Sequence, residues 1–441
     1  MDNIKQLDST IQLLNDRLDH WELFLIESNS QPIKYEANTL KEAQKKESSG
    51  IALRIINKGK IGLASARGKV NIDTLLNNAI ESSLIGQKAL FEFPKSQNYK
   101  NIITANNNIK KMNLDNLITI GNNILKKLSP LDKKMLLDIG ISKSEIETNI
   151  INSTGLNITS YKNSLSLSAH GNKTEKDDML FIWDGQSDMT DTPKIEDLIE
   201  NFSWKFKHSQ NIATLTPGEM SVIFTPEAVS SIFLEPLSLG LNGKYINEKS
   251  SPLTSFLGKQ RLDSQFTLID NPCISKITGN EIMDDEGIAT KPINLIKNGV
   301  IESFLFDLQS AGQAKTTTTG NAHRSLTTLP SPSITLPCIE KGSTSLNDMI
   351  NDIENGLFID GVLGAGQSNT LGGEINANVL LGFKITKGKL NGRVKNTLIS
   401  GNIYNMLRNI AAIENKTKLI YGSAKIPHIY IKNVSITTKP S

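Results

Sequence analysis

The residues best placed to do chemistry lie at positions 220–231, MSVIFTPEAVSS, where a strand-forming run leads into Glu227 and a helical start. A carboxylate at such a junction is how a zinc peptidase motif would look, with the Glu taking a proton from metal-bound water. The metal of such a site is held mainly by imidazole or thiolate donors. Here Pro226 and Ser231 occupy the two positions where histidines would stand. Neither a proline nor a neutral hydroxyl replaces an imidazole as a strong zinc ligand.

No other stretch supplies a metal motif. The five histidines, His20, His170, His208, His323 and His428, are too far apart for one helix to present two of them to an ion. A long-range site from His208, His323 and His428 would require the fold to gather them. Cys273 and Cys338, in NPCIS and LPCIE, are too few for a disulfide framework or a Cys-rich zinc site. They read as buried structural thiols of a reducing compartment. Nucleotide loops fail too: GLNGKYI has Tyr245 where a P-loop needs Ser or Thr, and Gly364-Ala365-Gly366 has Asn369 where a third glycine belongs. No G-x-S-x-G elbow occurs. The polar TTTTGNAHRS at 316–325 is either a substrate-facing loop or a surface connection. Gly320, Asn321, His323, Gly364 and Gly366 therefore line a substrate groove or only shape loops.

The elements that must position these residues follow from periodicity. Ile4, Leu7, Ile11, Leu14 and Leu18 mark a helix over residues 1–20. Strand-like segments follow at 21–28, 31–48, 50–57 and 60–68, the last two meeting in a hairpin at Asn57-Lys58-Gly59-Lys60. A helix capped by Asp73 comes next, then a polar, exposed connection over 92–112 and a helix with Leu117, Ile118, Gly121, Ile124, Leu125 and Leu128 on one face. Strands flank a turn at Asn152-Ser153-Thr154-Gly155. A loop and short helix over 188–202 divide an N-terminal α+β domain, residues 1–190, from a β-rich domain, residues 200–441. In the latter, GEMSVIFT, GVIESFLFD, SITLPCI, GLFIDGVLG, the run 376–401 and HIYIKNVSI read as strands. One helix starts at Ser345 and stops at Gly356, and a second is NIYNMLRNIAAI. The fold class expected is α+β, with antiparallel strands in the first domain and a large mixed or antiparallel sheet with packed helices in the second.

Composition narrows the function. Of 441 residues 48 are basic and 45 acidic, a net charge of +3, so no strong basic field argues for direct nucleic-acid binding. With 38% hydrophobic and 21% charged residues the chain is that of a globular protein. The acid-bearing N-terminus lacks the apolar core of a secretory signal, and no window is apolar enough for a membrane span, so the cytoplasm is expected.

The C-terminal half resembles the TldD/PmbA family, also called TldE or "modulator of DNA gyrase". The resemblance rests on LGKQ at 257–260, DDEGIATKPINLIKNGVIESFLFDLQSA at 284–311 and TGNAHR at 319–324. It continues through GVLGAGQSNTLGGEINANVLLGFKITKGKL at 361–390 and ISGNIYNMLRNI at 399–410. KYEANTLKEAQKKESSGIALRI at 34–55 extends it more loosely into the N-terminal half. The resemblance implies that the TldD branch binds zinc through H-E-x-x-x-H, the Glu acting as general base, with a further Cys ligand near the C-terminus. On this sequence Pro226, Glu227 and Ser231 occupy that motif, and the tail KLIYGSAKIPHIYIKN holds no Cys. It implies the PmbA/TldE branch: a chain with no metal and no cofactor, working with a TldD-like zinc-bearing subunit on unfolded or modified peptides, as a homo- or heterodimer. Glu227 is then a helix N-terminal carboxylate and only a weak catalytic candidate. The alternatives are a peptidase with another site, or a homodimeric binding or regulatory protein.

Overall fold

The computed structural model describes residues 2–176, 178–190 and 193–438, and only the backbone of residues 2–6. Ile4 of the expected helix face, and residues 191 and 192 of the expected break, thus lie outside what is described in full. Among the described residues, seven antiparallel strands form the N-terminal sheet. Its order is Lys60–Arg67, Lys46–Asn57, Trp21–Glu36, Leu136–Asn152, Asn157–Glu175 and Asp178–Asp188, with Thr39–Ala43 paired onto the far end of Trp21–Glu36. The hairpin at Lys58-Gly59 forms as expected, both residues having positive φ (49° and 77°), the geometry a two-residue turn requires. The first strand runs unbroken from Trp21 to Glu36, where the sequence suggested a break near residue 29. Pairing on both sides, to Lys46–Asn57 and to Leu136–Asn152, holds it extended.

Helices cover this sheet. Asp2–Arg17 and Ile72–Ile85 pack Leu14, Leu75, Leu76 and Ala79 against Trp21, Leu23, Leu53 and Ile55. The second of these is capped by Asn71, whose side chain accepts from the Thr74 N–H at 3.0 Å. Asp73, the expected cap, sits in its first turn. Leu114–Leu128 opens on a capping box of Asn113 and Asn116 and buries Leu117, Gly121, Ile124 and Leu128 of the expected face, with Ile118 and Leu125 only partly buried. The segment 92–112 is mostly exposed and irregular, as its composition suggested, but it is anchored at points. Phe93 and Ile109 are buried, Pro94 O accepts from the Asn152 amide at 2.8 Å, and Asn107–Lys111 is helical.

In the C-terminal half, Gly218–Phe224, Ile429–Thr438, Thr397–Asn402, Glu374–Thr386 and Asn355–Leu363 pair in that order, and the last returns to the first, closing a ring. Only Asn355–Leu363 and Gly218–Phe224 run parallel within it. Along Glu374–Thr386 the pleat turns Ile375, Ala377, Val379 and Leu381 inward and Asn376, Asn378 and Leu380 outward. A second sheet contains Leu268–Asp270, Ile293–Lys297, Pro337–Ile339, Ala424–Ile426 and Lys418–Ile420.

Four elements differ from expectation. Within GVIESFLFD only Val300–Ile301 is a strand, because the chain then runs irregularly to Asp307, which caps the helix Leu308–Ala314. In NIYNMLRNIAAI one helical turn, Ile403–Met406, gives way to a strand, Ile410–Ile413, whose β-branched ends pair with Ile431 and Ile429. The helix begun at Ser345 ends at Asn351, since Asn355 already belongs to a strand. The expected loop and short helix near 195 is a 14-residue helix, Ile195–His208. Its Leu198 and Phe202 join a core shared with Leu165, Ile182, Ile223 and Phe383, so it is wedged between the N-terminal sheet and the ring.

The halves also meet across buried charge. Arg54, on the sheet, donates from Nη2 to Glu22 Oε2 (2.8 Å) and from Nη1 to Glu286 Oε1 (2.6 Å). Arg324 Nη1 lies 2.9 Å from Glu22 Oε1, close enough to pair but without hydrogen-bond alignment. The guanidinium of Arg54 stacks over Phe91 and Phe93, and that of Arg324 over Phe24. Burial pushes the Glu22 carboxyl up, but the two arginines outweigh it and hold its pKa below the usual range. Glu286 is pushed up to about 7, by burial first, with Asp307 adding to the rise and Arg54 opposing it.

Two outcomes follow. Arg54→Met strands Glu22 and Glu286 without their shared cation and should cost about 3–5 kcal/mol in urea unfolding. Between the ordinary carboxyl value of 4.5 and about 7, the folded chain keeps a proton on Glu286 that the unfolded chain releases, so stability falls as pH rises through that window. Glu286→Gln should flatten the fall between pH 5 and 8; an unchanged slope would assign it to other groups.

Candidate functional site

Glu227 stands where the ring passes from strand to helix. Thr225 caps the helix, its hydroxyl accepting from the Ala228 N–H at 3.3 Å, and Pro226 fills the first helical position, where its missing N–H is not needed. The helix does not run regularly. Pro226–Val229 is α-helical, Ser230–Leu234 is a π turn, and Glu235–Gly240 resumes the α form. Pro236, which has no N–H for the preceding turn, sits just beyond the widening. Such turns occur mostly as single insertions and often at functional sites, and Ser231 lies within this one.

The carboxylate of Glu227 is met by an ammonium group. Lys418 Nζ, from the second sheet, lies 2.6 Å from Glu227 Oε1 and 3.9 Å from Asp184 Oδ1. Lys205, from the wedged helix, lies 3.5 Å from Asp184 and 3.0 Å from Asp360, and donates to Trp183 O at 2.9 Å. Three carboxylates and two ammonium groups thus converge from five separate segments. Burial pushes Glu227 up, but Lys418 and Lys205 outweigh it, so it stays ionised and weakly basic. Asp184 and Asp360 are raised by burial, which their lysines only partly offset. Burial would lower both lysines, but the carboxylates overcome it and hold the ammonium forms. A general base serves best with a pKa near the working pH, and Glu227 lies on the wrong side of that condition.

The residues do not fit a zinc ion. Pro226 is buried and has no donor; the exposed Ser231 donates its hydroxyl to Ala228 O at 3.1 Å; Glu227 is already paired. Among the described residues no cluster of three or more His, Cys, Asp or Glu side chains could hold a metal ion. His208 lies against Trp204, His428 pairs with Glu414 at 2.6 Å, and His323 Nε2 is 2.9 Å from Thr335 Oγ1, so the three histidines hold separate structural posts.

The other candidates fall into two groups. Asn321 is buried and donates its amide to Asp270, which also accepts from the Leu336 N–H at 2.7 Å; Gly320 precedes it with a positive φ of 76°. His323 is half-buried on the short strand Ala322–His323. Gly364 and Gly366 lie in the loop after Asn355–Leu363, where Gly366 is exposed beside Glu235. Sequence reasoning missed Asp184, Lys205, Asp360 and Lys418. The available signal was polarity out of phase: Asp184 continues the inward positions of Leu180 and Ile182, and Lys205 continues the face of Leu198 and Phe202.

Comparison with known proteins adds to this geometry. The profile of the PmbA/TldA metallopeptidase C-terminal domain matches residues 217–438, and that of domain 1 matches residues 21–83. An uncharacterised protein of Methanocaldococcus jannaschii is 24% identical over 415 residues, 91% of this chain and 94% of its own. A metalloprotease TldD homolog of Haemophilus influenzae is 27% identical over 206 residues, 46% of this chain and 42% of the relative, so that match spans under half of each. Among solved structures, TldE from Thermococcus kodakarensis superposes with a TM-score of 0.89 at 22% identity, covering 98% of this chain and 99% of that one. A protein of Thermotoga maritima described as a candidate modulator of a DNA gyrase superposes with a TM-score of 0.88 at 17% identity, covering 98% and 99%. At these identities the superpositions speak to the fold.

The ammonium group beside Glu227 can be tested directly. Lys418→Met should cost about 1–2 kcal/mol, less than for a fully buried pair because Lys418 is partly exposed. Glu227→Gln added to it should recover part of the loss. Strict additivity in urea unfolding would mean that the two side chains do not interact.

Proposed function

The chain belongs to the PmbA/TldD metallopeptidase family, and from that premise we propose that it is the zinc-free subunit of a two-chain protease. Its partner in this reading is a TldD-like chain that carries the metal, and the substrates are unfolded or modified peptides. One observation carries the reading: Lys418 Nζ stands 2.6 Å from the single carboxylate left in the motif, flanked by Pro226 and Ser231, which offer no strong zinc donor. An ammonium ion supplies the positive charge that the carboxylate needs inside the fold, but it cannot polarise a carbonyl or activate water as a zinc ion does. What this chain contributes is a shaped wall and contacts to the partner. The exposed Gly366 loop is open to a peptide; Asn321, buried on Asp270, is a positioning residue for its own loop.

The test is reconstitution with the TldD-type chain of the same genome. The two should co-elute, and the mixture should cleave an unfolded peptide that this chain alone leaves intact. This chain purified without added zinc should hold well under ~0.2 equivalents of metal, since a true site is nearly filled. Turnover by this chain alone, or no effect on the partner's cleavage, removes the proposal.

A further inference from the structure

Two guanidinium groups are held side by side by the fold and left unanswered. Arg261 lies over the rings of Phe256 and Tyr404, 5.3 and 5.8 Å from their centroids. Tyr404 is buried, its hydroxyl donating to Pro236 O at 3.1 Å, so that ring is a fixed support. Arg408 follows one turn after Tyr404: the Leu407 N–H donates to Ile403 O at 2.9 Å and the Arg408 N–H to Asn405 O at 3.2 Å. Residues four apart on such a turn share a side. The two segments are also tied directly, the Asp263 N–H donating to Leu407 O at 2.9 Å and the Gln265 amide to Ile410 O at 3.2 Å. Arg408 is exposed and Arg261 half-buried.

No carboxylate balances this pair among the described residues. Burial first, then the charge of Arg408, lowers the Arg261 pKa, and only Tyr404 opposes them. Asp263 is the one acid in residues 256–265, and its Oδ1 accepts from the Gln265 N–H at 2.9 Å; residues 398–410 contain no acid. Lys259, exposed on the same segment, adds a third cation. Like charges kept adjacent are destabilising. A guanidinium laid on aromatic rings is also oriented in advance, so it loses less entropy on gripping an oxyanion. The pair stands beside the loop of Gly364 and Gly366. That loop ends at Gly372 and Gly373, whose carbonyls accept from the Asn402 amide and the Ile403 N–H, each at 2.8 Å. A side chain on Gly373 would run into the Tyr404 ring.

We propose that Arg261 and Arg408 together seat a carboxylate of a bound peptide, at the end of the loop that the proposed function leaves open to substrate. The planar forks match the two oxygens of a carboxylate. The carboxylate comes from an acidic side chain or from the chain end. That the ligand is a peptide rests on the proposed function; the seat for an oxyanion rests on the arginines. Such a seat selects, among unfolded chains, those that bring an acid to this subunit.

The test measures fluorescence anisotropy with this full chain alone. Three short peptides carry a neutral label: one with two central glutamates and an amidated end, the same with glutamines, and the glutamine peptide with a free end. At about 50 mM salt the glutamate peptide or the free-ended one should bind about three- to tenfold tighter than the neutral peptide, as one or two partly exposed ion pairs supply. Whichever carboxylate source binds tighter names the source. Arg408→Gln, at an exposed position, and Arg261→Gln should each remove most of the preference, Arg408→Lys should restore part of it, and Lys111→Gln should leave it intact. Arg408→Gln should not move the thermal midpoint. Equal binding of all three peptides, no binding of any, or a preference that survives both glutamine substitutions overturns the proposal. Inorganic phosphate or an oligonucleotide displacing the peptide at far lower concentration than acetate overturns the carboxylate assignment. Because no partner is present, a negative result here leaves the reconstitution assay standing, and failed reconstitution leaves this binding unaffected.

Discussion

An unpaired charge cannot be buried cheaply, and that constraint decides how the two halves of this chain sit together. Glu22 and Arg54 lie on neighbouring strands of the N-terminal sheet, paired in register, and both side chains are fully enclosed. Sheet pairing alone joins Arg54 Nη2 to Glu22 Oε2 but leaves Arg54 Nη1 and Glu22 Oε1 without a counterpart inside an apolar layer. Balance comes from Glu286 and Arg324, which the C-terminal half delivers in the segments DDEG and TGNAHR. Those segments are rigid for the same reason. Asp284 accepts from the N–H groups of Glu286, Ile288 and Ala322, and Asp285 from that of Arg324, so the acids shape the turns that present the pairing residues. Such a network is not an efficient source of stability, because desolvation offsets much of the attraction. Its effect is positional: displacement of either half exposes charge to a medium that cannot solvate it.

The second network obeys the same rule with a different cation. A carboxylate in the first turn of a helix gains from the macrodipole, but only by tenths of a kcal/mol to about one. Buried beside Asp184 and Asp360, Glu227 needs more than that. In the zinc-bearing branch that the sequence resemblance implies, an imidazole-held metal would supply the positive charge at this place. Here Lys418 and Lys205 supply it, with Lys205 delivered by the helix wedged between the halves. The π turn at Ser230–Leu234 keeps the irregular helix, and the ammonium group satisfies the carboxylate that the helix start presents.

Much of the architecture was legible because it is local. The Lys58-Gly59 and Lys387-Gly388 hairpins, the turn after Asn152, and the helix face of Leu117, Gly121, Ile124 and Leu128 follow from turn chemistry and period. Errors arose where one period served two structures. Ile403, Met406, Leu407 and Ile410 are spaced like a helix, yet a strand partner at Ile429 and Ile431 captures the end of the run. The pairing of Pro226 and Ser231 with a motif was visible, because it depends only on spacing. Lys418, which pairs with Glu227, was not, since it is 191 residues away in the chain and nothing local marks it. Arg54 and Glu286 are 232 residues apart, and only the oddity of an arginine within IALRII hinted that a partner existed.

The two charge networks differ in one respect that separates scaffold from surface. Around Glu227 the charges answer one another: Lys418 serves Glu227 and Asp184, and Lys205 serves Asp184, Asp360 and the Trp183 carbonyl. Around Arg54 the set is incomplete, since Arg54 Nε and the guanidinium nitrogens of Arg324 find no hydrogen-bond acceptor. A cleft borders this incomplete network. Those nitrogens are sealed inside the joint, whereas an ion arriving at Glu227 would have to displace an ammonium group already in place. The motif that drew attention in the sequence is thus the place where the fold answers its own charges, and the joint that fixes the two halves is the place where it does so incompletely.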